Sequence, residues 1–182
     1  MVIALLPAAV ETSSVTDSTL DCLARGSHEW LSTRPSPLDS ATLVLGEVRV
    51  RVCYSQPSLR GRAIESLVPA SRAWRTGANE PTTVALSGRA SVGGAVLPAG
   101  RYVLLSVPGP DEWTLVFHTT PEIEPARMFA TLRAVGQGRG TVERLAASVE
   151  RFTIRAEGQG DSTALLLEWG DRRVRVPVRS AP

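Results

Sequence analysis

The stretch that decides the fold is Glu47–Tyr54, which reads EVRVRVCY. Valine or tyrosine occupies every second position of it, and glutamate, arginine or cysteine fills the positions between. Because successive side chains of a strand point to opposite faces, this alternation predicts a strand with one buried face. The same pattern returns at Arg173–Arg179, where valines alternate with arginines and Pro177. A proline inside a strand favours an edge position, which is where we expect this C-terminal strand.

Between these two strands, short apolar segments alternate with turn sequences. Turns are indicated by Ser87-Gly88, Gly93-Gly94 and Pro108–Asp111, and the Gly-Gly pair predicts a two-residue hairpin. No segment has the apolar spacing of a long helix. The pattern predicts an all-β fold, a single antiparallel β-sandwich (residues 41–182) with an extended N-terminal arm (residues 1–40). The other predicted strands are Thr82–Leu86, Arg89–Val92, Ala95–Leu97, Arg101–Val107, Trp113–His118, Met128–Val135, Thr141–Ile154 and Thr163–Trp169.

Three segments carry more specific predictions. Ile64–Arg75 has room for one short helical turn, and Pro125–Ala134 contains acceptable helix formers. Gly136–Gly140, GQGRG, resembles a phosphate-binding loop only superficially, because it lacks the lysine and the following helix of such loops. We expect it to be a flexible hairpin tip. Large aromatic residues within the strand patterns are predicted to fill the core, namely Trp113, Phe117, Phe152 and Trp169.

Composition narrows the classes of function. The chain has 182 residues, with 20 basic and 18 acidic residues and a net charge of +2. A chain of this length forms one ordinary domain, and this charge balance argues against a partner such as nucleic acid. All the basic residues are arginine, which excludes lysine nucleophiles and favours bidentate contacts with carboxylates.

The N-terminal arm suggests an exported protein. Its first ten residues, MVIALLPAAV, are apolar but too few to span a bilayer as a helix, so no transmembrane span is expected. Small and polar residues follow, as at the end of a signal peptide, although a basic segment is missing in front. The run is a signal remnant, a buried strand or a docking arm, and a docking arm would use Leu5, Leu6 and Trp30 as anchors. We expect the protein in the periplasm or on the outer face of a membrane.

Cys22 and Cys53 are the two cysteines, 31 positions apart. An even count in an exported chain permits one disulfide, which would contribute about 3 kcal/mol by constraining the unfolded chain. Two buried free thiols are the alternative. Lipidation of Cys22 is disfavoured, because Asp21 stands where a lipidation motif has a small residue.

A polar and aromatic cluster in the first half of the sandwich is the candidate ligand site. Arginine guanidinium groups bind planar anions and aromatic rings stack on sugars, so the cluster predicts a site for an anion or a carbohydrate. In the alternative interpretation Arg75 pairs with Glu80, Trp74 belongs to the core and Asn79 caps a turn. The candidate residues are Tyr54, Arg60, Arg62, Trp74, Arg75, Asn79 and Glu80.

Catalytic and metal-binding signatures are weak. His28 and His118 have no cysteine or carboxylate at metal-ligand spacing, so neither a metal nor a cofactor is expected. The nucleophile motif Gly-x-Ser-x-Gly does not occur. Glu112 and Glu168 would serve a hydrolase only at the right separation in space. We expect a protein that is not an enzyme.

Several blocks in chain order carry a resemblance to a known family. The most specific is Trp74–Glu80, WRTGANE, and the others include Leu97–Tyr102, Glu112–Thr114 and Leu167–Trp169. The chain resembles, over roughly residues 41–178, the bacterial family known as domain of unknown function 2911. The resemblance implies an exported β-sandwich of unassigned biochemistry. The segment Thr120–Arg127 departs from the family pattern, because it lacks an aromatic-rich loop.

These observations together favour a binding or structural module of the bacterial cell envelope. The expected partner is another envelope or membrane protein, and the chain would be an accessory subunit of a membrane-associated assembly. The alternatives are a receptor for a small anion or carbohydrate, or a hydrolase with an unrecognised carboxylate site.

Overall fold

The chain folds almost entirely into β-structure. A computed structural model describes residues 20–24, 26–119, 134–159 and 163–182. A short helix, α1 (His28–Thr33), precedes the strands, and a 3-10 turn spans Ile64–Ser66. The strands are β1 (Leu38–Leu45), β2 (Val48–Ser55), β3 (Thr83–Leu86), β4 (Ala90–Val92), β5 (Ala95–Leu97), β6 (Gly100–Val107), β7 (Glu112–Thr119), β8 (Ala134–Glu157) and β9 (Ala164–Ser180).

The strands form one antiparallel sheet in the order β1-β2-β3-β6-β7-β8-β9-β4-β5. The predicted all-β sandwich class is confirmed, and the sheet does not close into a barrel. The predicted Gly93-Gly94 hairpin is present, because β4 and β5 pair from Ala90 with Leu97 to Val92 with Ala95. The helical turn at Ile64–Ser66 lies inside the segment predicted to hold one.

The two long strands fold the sheet over its core. The first part of β8 pairs with β7, up to Thr141 opposite Glu112. From Thr141 to Arg144 β8 pairs with β9, register shifts follow between Arg144 and Thr153, and the pairing with β9 then continues from Thr153 to Glu157. There β8 also meets the loop after β2, where the Phe152 N–H donates to the Pro57 carbonyl at 2.8 Å. β8 therefore leaves one layer and crosses to the other, which produces the sandwich-like arrangement.

Aromatic side chains fill the space between the layers. Trp74 lies at the centre, with ring centroids 5.4 to 5.9 Å from those of Trp113, Phe152 and Trp169. Tyr54 packs edge-on against Phe152 at 5.7 Å. The predicted core aromatics Trp113, Phe117, Phe152 and Trp169 are all at most 4% exposed, which confirms their placement.

Gly136–Gly140 is not a hairpin tip, and this prediction was wrong. The segment forms the start of β8 and pairs with β7. Its glycines let the β4–β5 hairpin pack directly on it, because a Cβ at Gly138 would lie 2.5 Å from the Val92 carbonyl oxygen. A Cβ at Gly140 would lie 2.6 Å from a methyl group of Val174. The glycines therefore provide space for close contact between layers.

Other differences concern boundaries and edges. β9 lies between β8 and β4, so the predicted edge position of the C-terminal strand was wrong. Pro177, which has no N–H to donate, lies past the last β8–β9 pair at Arg175, and its carbonyl accepts from the Gly93 N–H. β1 begins at Leu38, within the segment assigned to the N-terminal arm. Thr120–Arg127, Leu5 and Leu6 lie outside the described residues, as do all but the last residue of the predicted Pro125–Ala134 helix and most of the predicted Met128–Val135 strand.

Candidate functional site

Residues 20–24 and 26–37, called here the docked segment, are attached to the sheet. A disulfide joins Cys22 to Cys53 in β2, with a Cα–Cα distance of 5.5 Å. The Asp21 carbonyl accepts from Arg101 at 2.7 Å, and the Pro37 carbonyl accepts from the Gln56 N–H at 2.9 Å. The predicted disulfide is therefore present, and neither cysteine is a free thiol.

A buried arginine holds the other end of the docked segment. The Arg34 guanidinium donates to both carboxylate oxygens of Glu80, at 2.8 and 2.6 Å, and to the Ser55 hydroxyl at 2.7 Å. The Arg34 side chain is 4% exposed and that of Glu80 is 25% exposed. Burial alone would raise the pKa of Glu80, but the hydrogen bonds and charge of Arg34, with the Ser55 hydrogen bond, lower it below the ordinary value. Glu80 is therefore ionised at neutral pH.

The residues of the predicted ligand cluster have different structural roles, and its two aromatic side chains are buried. Trp74 is in the core, as the alternative interpretation expected, and Tyr54 is 1% exposed. Burial raises the pKa of the Tyr54 hydroxyl, which donates to the Asp39 carboxylate and accepts from the Ile154 N–H. These two aromatic side chains are therefore fixed in the core packing.

The polar members of the cluster also have structural partners. Arg75 donates to the Asn79 carbonyl at 2.9 Å, and the Asn79 side chain donates to the Ser36 carbonyl at 3.0 Å. The predicted Arg75–Glu80 ion pair was wrong, because the Glu80 carboxylate pairs with Arg34 instead. The junction of the docked segment with β2 and Glu80 has essentially no free volume.

Arg60 and Arg62 lie apart from these contacts, on the loop after β2. The Arg60 N–H donates to the Glu150 carboxylate at 2.8 Å, and the Arg62 side chain donates to the Ser58 and Leu59 carbonyls. Arg62 therefore braces its own loop, and the backbone of Arg60 ties that loop to β8.

Trp30 is presented on the surface by the docked segment. Helix α1 has no buried residue, and Trp30 is 53% exposed. The Arg34 guanidinium lies 5.1 Å from the ring centroid, and Gly26 leaves room for the ring because a Cβ there would lie 2.7 Å from it. Leu23, on the same segment, is 58% exposed. The indole ring is therefore held in place while much of it faces solvent.

A separate cleft of about 530 Å³ lies between the helical turn, the β6–β7 turn and the crossing of β8 with β9. Its apolar lining includes Val68, Pro108 and Val142. Charged side chains complete the lining, namely Glu65, Asp111, Glu143, Arg144 and Arg172. A volume of this size is in the range of small-molecule sites.

The cleft arginines face each other across two strands. Arg144 in β8 and Arg172 in β9 are register partners. Asp171 lies between their charges, 2.8 Å from Arg144 and 3.6 Å from Arg172, and Glu65 accepts from Arg172. The neighbouring Arg144 and Asp171 side chains are 81% and 39% exposed, so water screens their ion pair.

The two carboxylates considered for hydrolysis are both ion-paired. Glu112 accepts from Arg139 at 2.7 Å, and Glu168 accepts from Arg155 and Arg173 at 2.6 to 2.9 Å. Burial would raise the pKa of Glu168, but the two arginines lower it below the ordinary value. Glu168 is therefore ionised at neutral pH and unsuited to donate a proton.

Within residues 20–24, 26–119, 134–159 and 163–182, no group of three or more histidine, cysteine, aspartate or glutamate side chains could hold a metal ion. The same residues contain no helix that is long and apolar enough to cross a membrane.

Two features were missed from the sequence. The Arg34–Glu80 pair joins residues 46 positions apart, and neither residue has a local pattern that points to the other. The cleft combines four separate segments, of which Pro108 and Glu143-Arg144 are among the residues that carry the family resemblance. The Pro-Gly-Pro-Asp turn at Pro108–Asp111 was interpreted as a connection alone.

Comparison with known proteins gives one match. A family model described as "Protein of unknown function (DUF2911)" matches residues 36–178. No curated protein and no solved structure matches the chain.

Proposed function

The chain belongs to the DUF2911 family, whose description names no activity, and we propose from the geometry that it is a non-catalytic protein-binding module of the bacterial cell envelope. In this role it is an accessory subunit that contacts a larger membrane-associated assembly through its docked segment.

One observation carries the proposal. The docked segment is fixed by a disulfide and by a buried Arg34–Glu80 pair, yet helix α1 buries no side chain of its own. Burying a guanidinium group costs free energy unless its hydrogen bonds are satisfied. The buried and hydrogen-bonded Arg34 therefore holds the docked segment in one position on the sheet. What it positions is Trp30, a large aromatic ring that is 53% exposed.

The chemistry of the docked segment suggests the kind of partner. Tryptophan is enriched among the residues that dominate binding energy at protein interfaces, where it fills an apolar pocket. Leu23 supplies a second exposed apolar side chain, and the exposed His28 and Glu29 supply polar groups beside Trp30. The partner is a protein surface with an apolar pocket for the indole ring and a polar rim.

The disulfide supports an extracytoplasmic location. Structural disulfides persist in oxidising compartments such as the periplasm and are rare in the cytosol of bacteria that grow at moderate temperature. The Cys22–Cys53 bond also joins the docked segment to the sheet. Export is therefore linked to the proposed binding surface, because oxidation completes its attachment.

A non-catalytic role is supported by how the carboxylates are used. Glu80 and Glu168 have lowered pKa values, so neither is poised as a general acid, and Glu112 forms an ion pair with Arg139. The alternative of a ligand site at Arg60–Glu80 has little support, because its residues hold the docked segment, the core and a loop.

Site-specific photo-crosslinking in the native host tests the proposal. A photoreactive amino acid replaces Trp30 in one variant, and in the control it replaces Val96 on β5, which is 49% exposed. We expect one envelope protein to be crosslinked stoichiometrically from position 30 and not from position 96. The Trp30→Ala substitution should abolish co-purification of that protein, whereas Val96→Ala should leave it unchanged.

The proposal fails if both positions give the same crosslinks, or if the chain is recovered as a monomer from the envelope fraction. Oxidised Cys22 and Cys53, verified by mass spectrometry, show that the docked segment is attached in the sample tested.

A further inference from the structure

The 530 Å³ cleft is separate from the docked segment and has the features of a small-molecule site. Its base is apolar, since Val68 is 4% exposed and Val142 is packed against the core. The Ser71 N–H donates to the Pro108 carbonyl at 2.9 Å, and the Val142 N–H donates to the Asp111 carbonyl at 2.8 Å. Backbone hydrogen bonds therefore hold the walls together, so the cleft is formed without a ligand.

Positive charge is concentrated on one side of the cleft. Arg144 and Arg172 are directly opposite each other on neighbouring strands, an arrangement that is unfavourable unless an anion lies between or beside them. Asp171 and Glu65 fill this role in the free protein, but their side chains are 39% and 62% exposed. Such pairs are weak, so a ligand carboxylate can share or replace these contacts.

Negative charge is contributed by the β6–β7 turn. Asp111 is exposed, and its carboxylate has no ion-pair partner among the described residues. Glu143, which also lines the cleft, is 3.6 Å from Arg173. The cleft therefore presents the Asp111 carboxylate and a pair of guanidinium groups above one apolar base.

We propose that this cleft binds a small amino-carboxylate, an amino acid or a short peptide with an apolar side chain. Asp111 accepts the ligand ammonium group, Arg144 and Arg172 donate to its carboxylate, and the apolar side chain packs on Val68 and Val142. Neither a simple anion nor a simple cation uses both charged groups.

Matched probes test this directly. Phenylalanine, phenethylamine and hydrocinnamate share a phenyl group and a two-carbon chain, but carry both charges, the positive charge alone and the negative charge alone. Titration calorimetry at neutral pH should give phenylalanine an affinity at least about tenfold higher than that of either singly charged probe, since each lost ionic hydrogen bond costs about this factor. Diphenylalanine is the second arm, and the tighter of the two ligands shows whether the site takes a free amino acid or a peptide.

Variants assign the charges. Asp111→Asn should weaken phenylalanine binding about tenfold or more and leave hydrocinnamate binding unchanged. Arg172→Met should also weaken phenylalanine binding, but it should leave phenethylamine binding unchanged. Glu112→Gln and Arg139→Met, an exposed ion pair that does not line the cleft, are the controls and should change nothing. Backbone amide shifts at Gly109 and Val142 should move on titration.

The proposal is overturned if neither phenylalanine nor diphenylalanine binds at millimolar concentration, or if a singly charged probe binds as tightly as these ligands. It is also overturned if the amide shifts fall outside the cleft. Circular dichroism of each variant confirms that the fold is retained, which is expected because Asp111 is exposed and the Arg172 side chain is 30% exposed.

Discussion

Arg34 connects the docked segment to the sheet through one guanidinium group. It donates to Glu80, to the Ser55 hydroxyl and to the Ser36 carbonyl, and its guanidinium also lies near the Trp30 ring. A buried charge whose donors are satisfied in this way fixes a single geometry, whereas the same charge without its partner is strongly unfavourable. The position of Trp30 therefore depends on Arg34, although Arg34 itself is not part of the proposed contact with the partner.

We expect Arg34→Met to lower the free energy of unfolding by about 2–3 kcal/mol. Removing one member of a buried pair costs about 3–5 kcal/mol, and the value is smaller here because water reaches Glu80. Urea unfolding measures the change, and Arg139→Met is the matched control, since it breaks an exposed pair and should cost about 1 kcal/mol or less. Equal losses in the two variants would contradict a special role for Arg34.

The pKa values of Glu80 and Glu168 predict how stability depends on pH. Both are lowered in the folded protein, so their contribution is complete above the ordinary glutamate value of about 4.3 and is lost as pH falls through the lower folded values. The free energy of unfolding should therefore decrease as the pH drops below about 5. Denaturant unfolding at a series of pH values checks this.

The variants Glu80→Gln and Glu168→Gln should be less stable at neutral pH and should lose less stability on acidification. Glu112→Gln provides the reference for removing one carboxylate from an exposed ion pair. A decline that is as steep in both buried-site variants as in the natural chain would show that other groups control acid stability.

Residue partners were harder to predict than residue environments. The burial of Trp113 and Trp169 followed from their positions in apolar patterns, because burial depends mainly on local alternation. The ion-pair partner of Glu80 did not follow, because both Arg34 and Arg75 carry the guanidinium group that such a pair needs. Only the tertiary structure, which brings the docked segment back past β2, shows that the partner is Arg34. Long-range side-chain pairing requires the tertiary arrangement, which alternation alone does not contain.

Among the elements, β8 determines how the two layers meet. Its inner face is made of glycines where the β4–β5 hairpin lies against it, and the Arg139 N–H donates to the Gly93 carbonyl at 2.8 Å. Farther along, its register shifts carry it over the core to Pro57–Leu59. The same strand thus supplies one wall of the cleft, at Val142–Arg144, and part of the aromatic core, at Phe152.

We expect Gly138→Ala to lower the free energy of unfolding by about 2–3 kcal/mol, because the added methyl group would lie 2.5 Å from a backbone oxygen of Val92 and two strands would have to separate. Gly136→Ala is the control. Its methyl group would meet the end of a side chain, Leu97 at 2.8 Å, instead of backbone, so only that side chain has to shift and the loss should be about half as large. Thermal or urea unfolding of both variants tests this, and a ranking in the opposite order would show that close packing at Gly138 is unimportant.

Strand existence was predicted better than strand extent. Glu47–Tyr54 and Trp113–His118 are strands nearly as expected, because period-two alternation with one buried face is a local signal. Gly136–Gly140 was misassigned because a strand whose inner face must be empty has no apolar alternation to detect. Helix α1 was missed because it buries nothing, so it has no apolar stripe either.

For the whole molecule, the two proposed binding surfaces use separate parts of one sheet. The docked segment is attached through β2, Glu80 and Arg101, while the cleft is formed by the helical turn, the β6–β7 turn and the β8–β9 crossing. No hydrogen bond or ion pair between described residues joins the two sets. A chain with this arrangement can hold a partner and a small molecule at the same time, and the sandwich keeps both surfaces in fixed positions.

This separation predicts that the two binding events are independent. Distant sites without shared partners have additive energies, within about 0.5 kcal/mol. Trp30→Ala should therefore abolish partner crosslinking and leave the affinity for phenylalanine within about twofold, whereas Arg172→Met should weaken phenylalanine and leave crosslinking intact. The double variant should show both losses in full, measured by calorimetry and crosslinking on the same preparations. If phenylalanine instead changes the crosslinking yield of the natural chain, the two sites are coupled, and by reciprocity the partner must change the affinity for phenylalanine by the same factor.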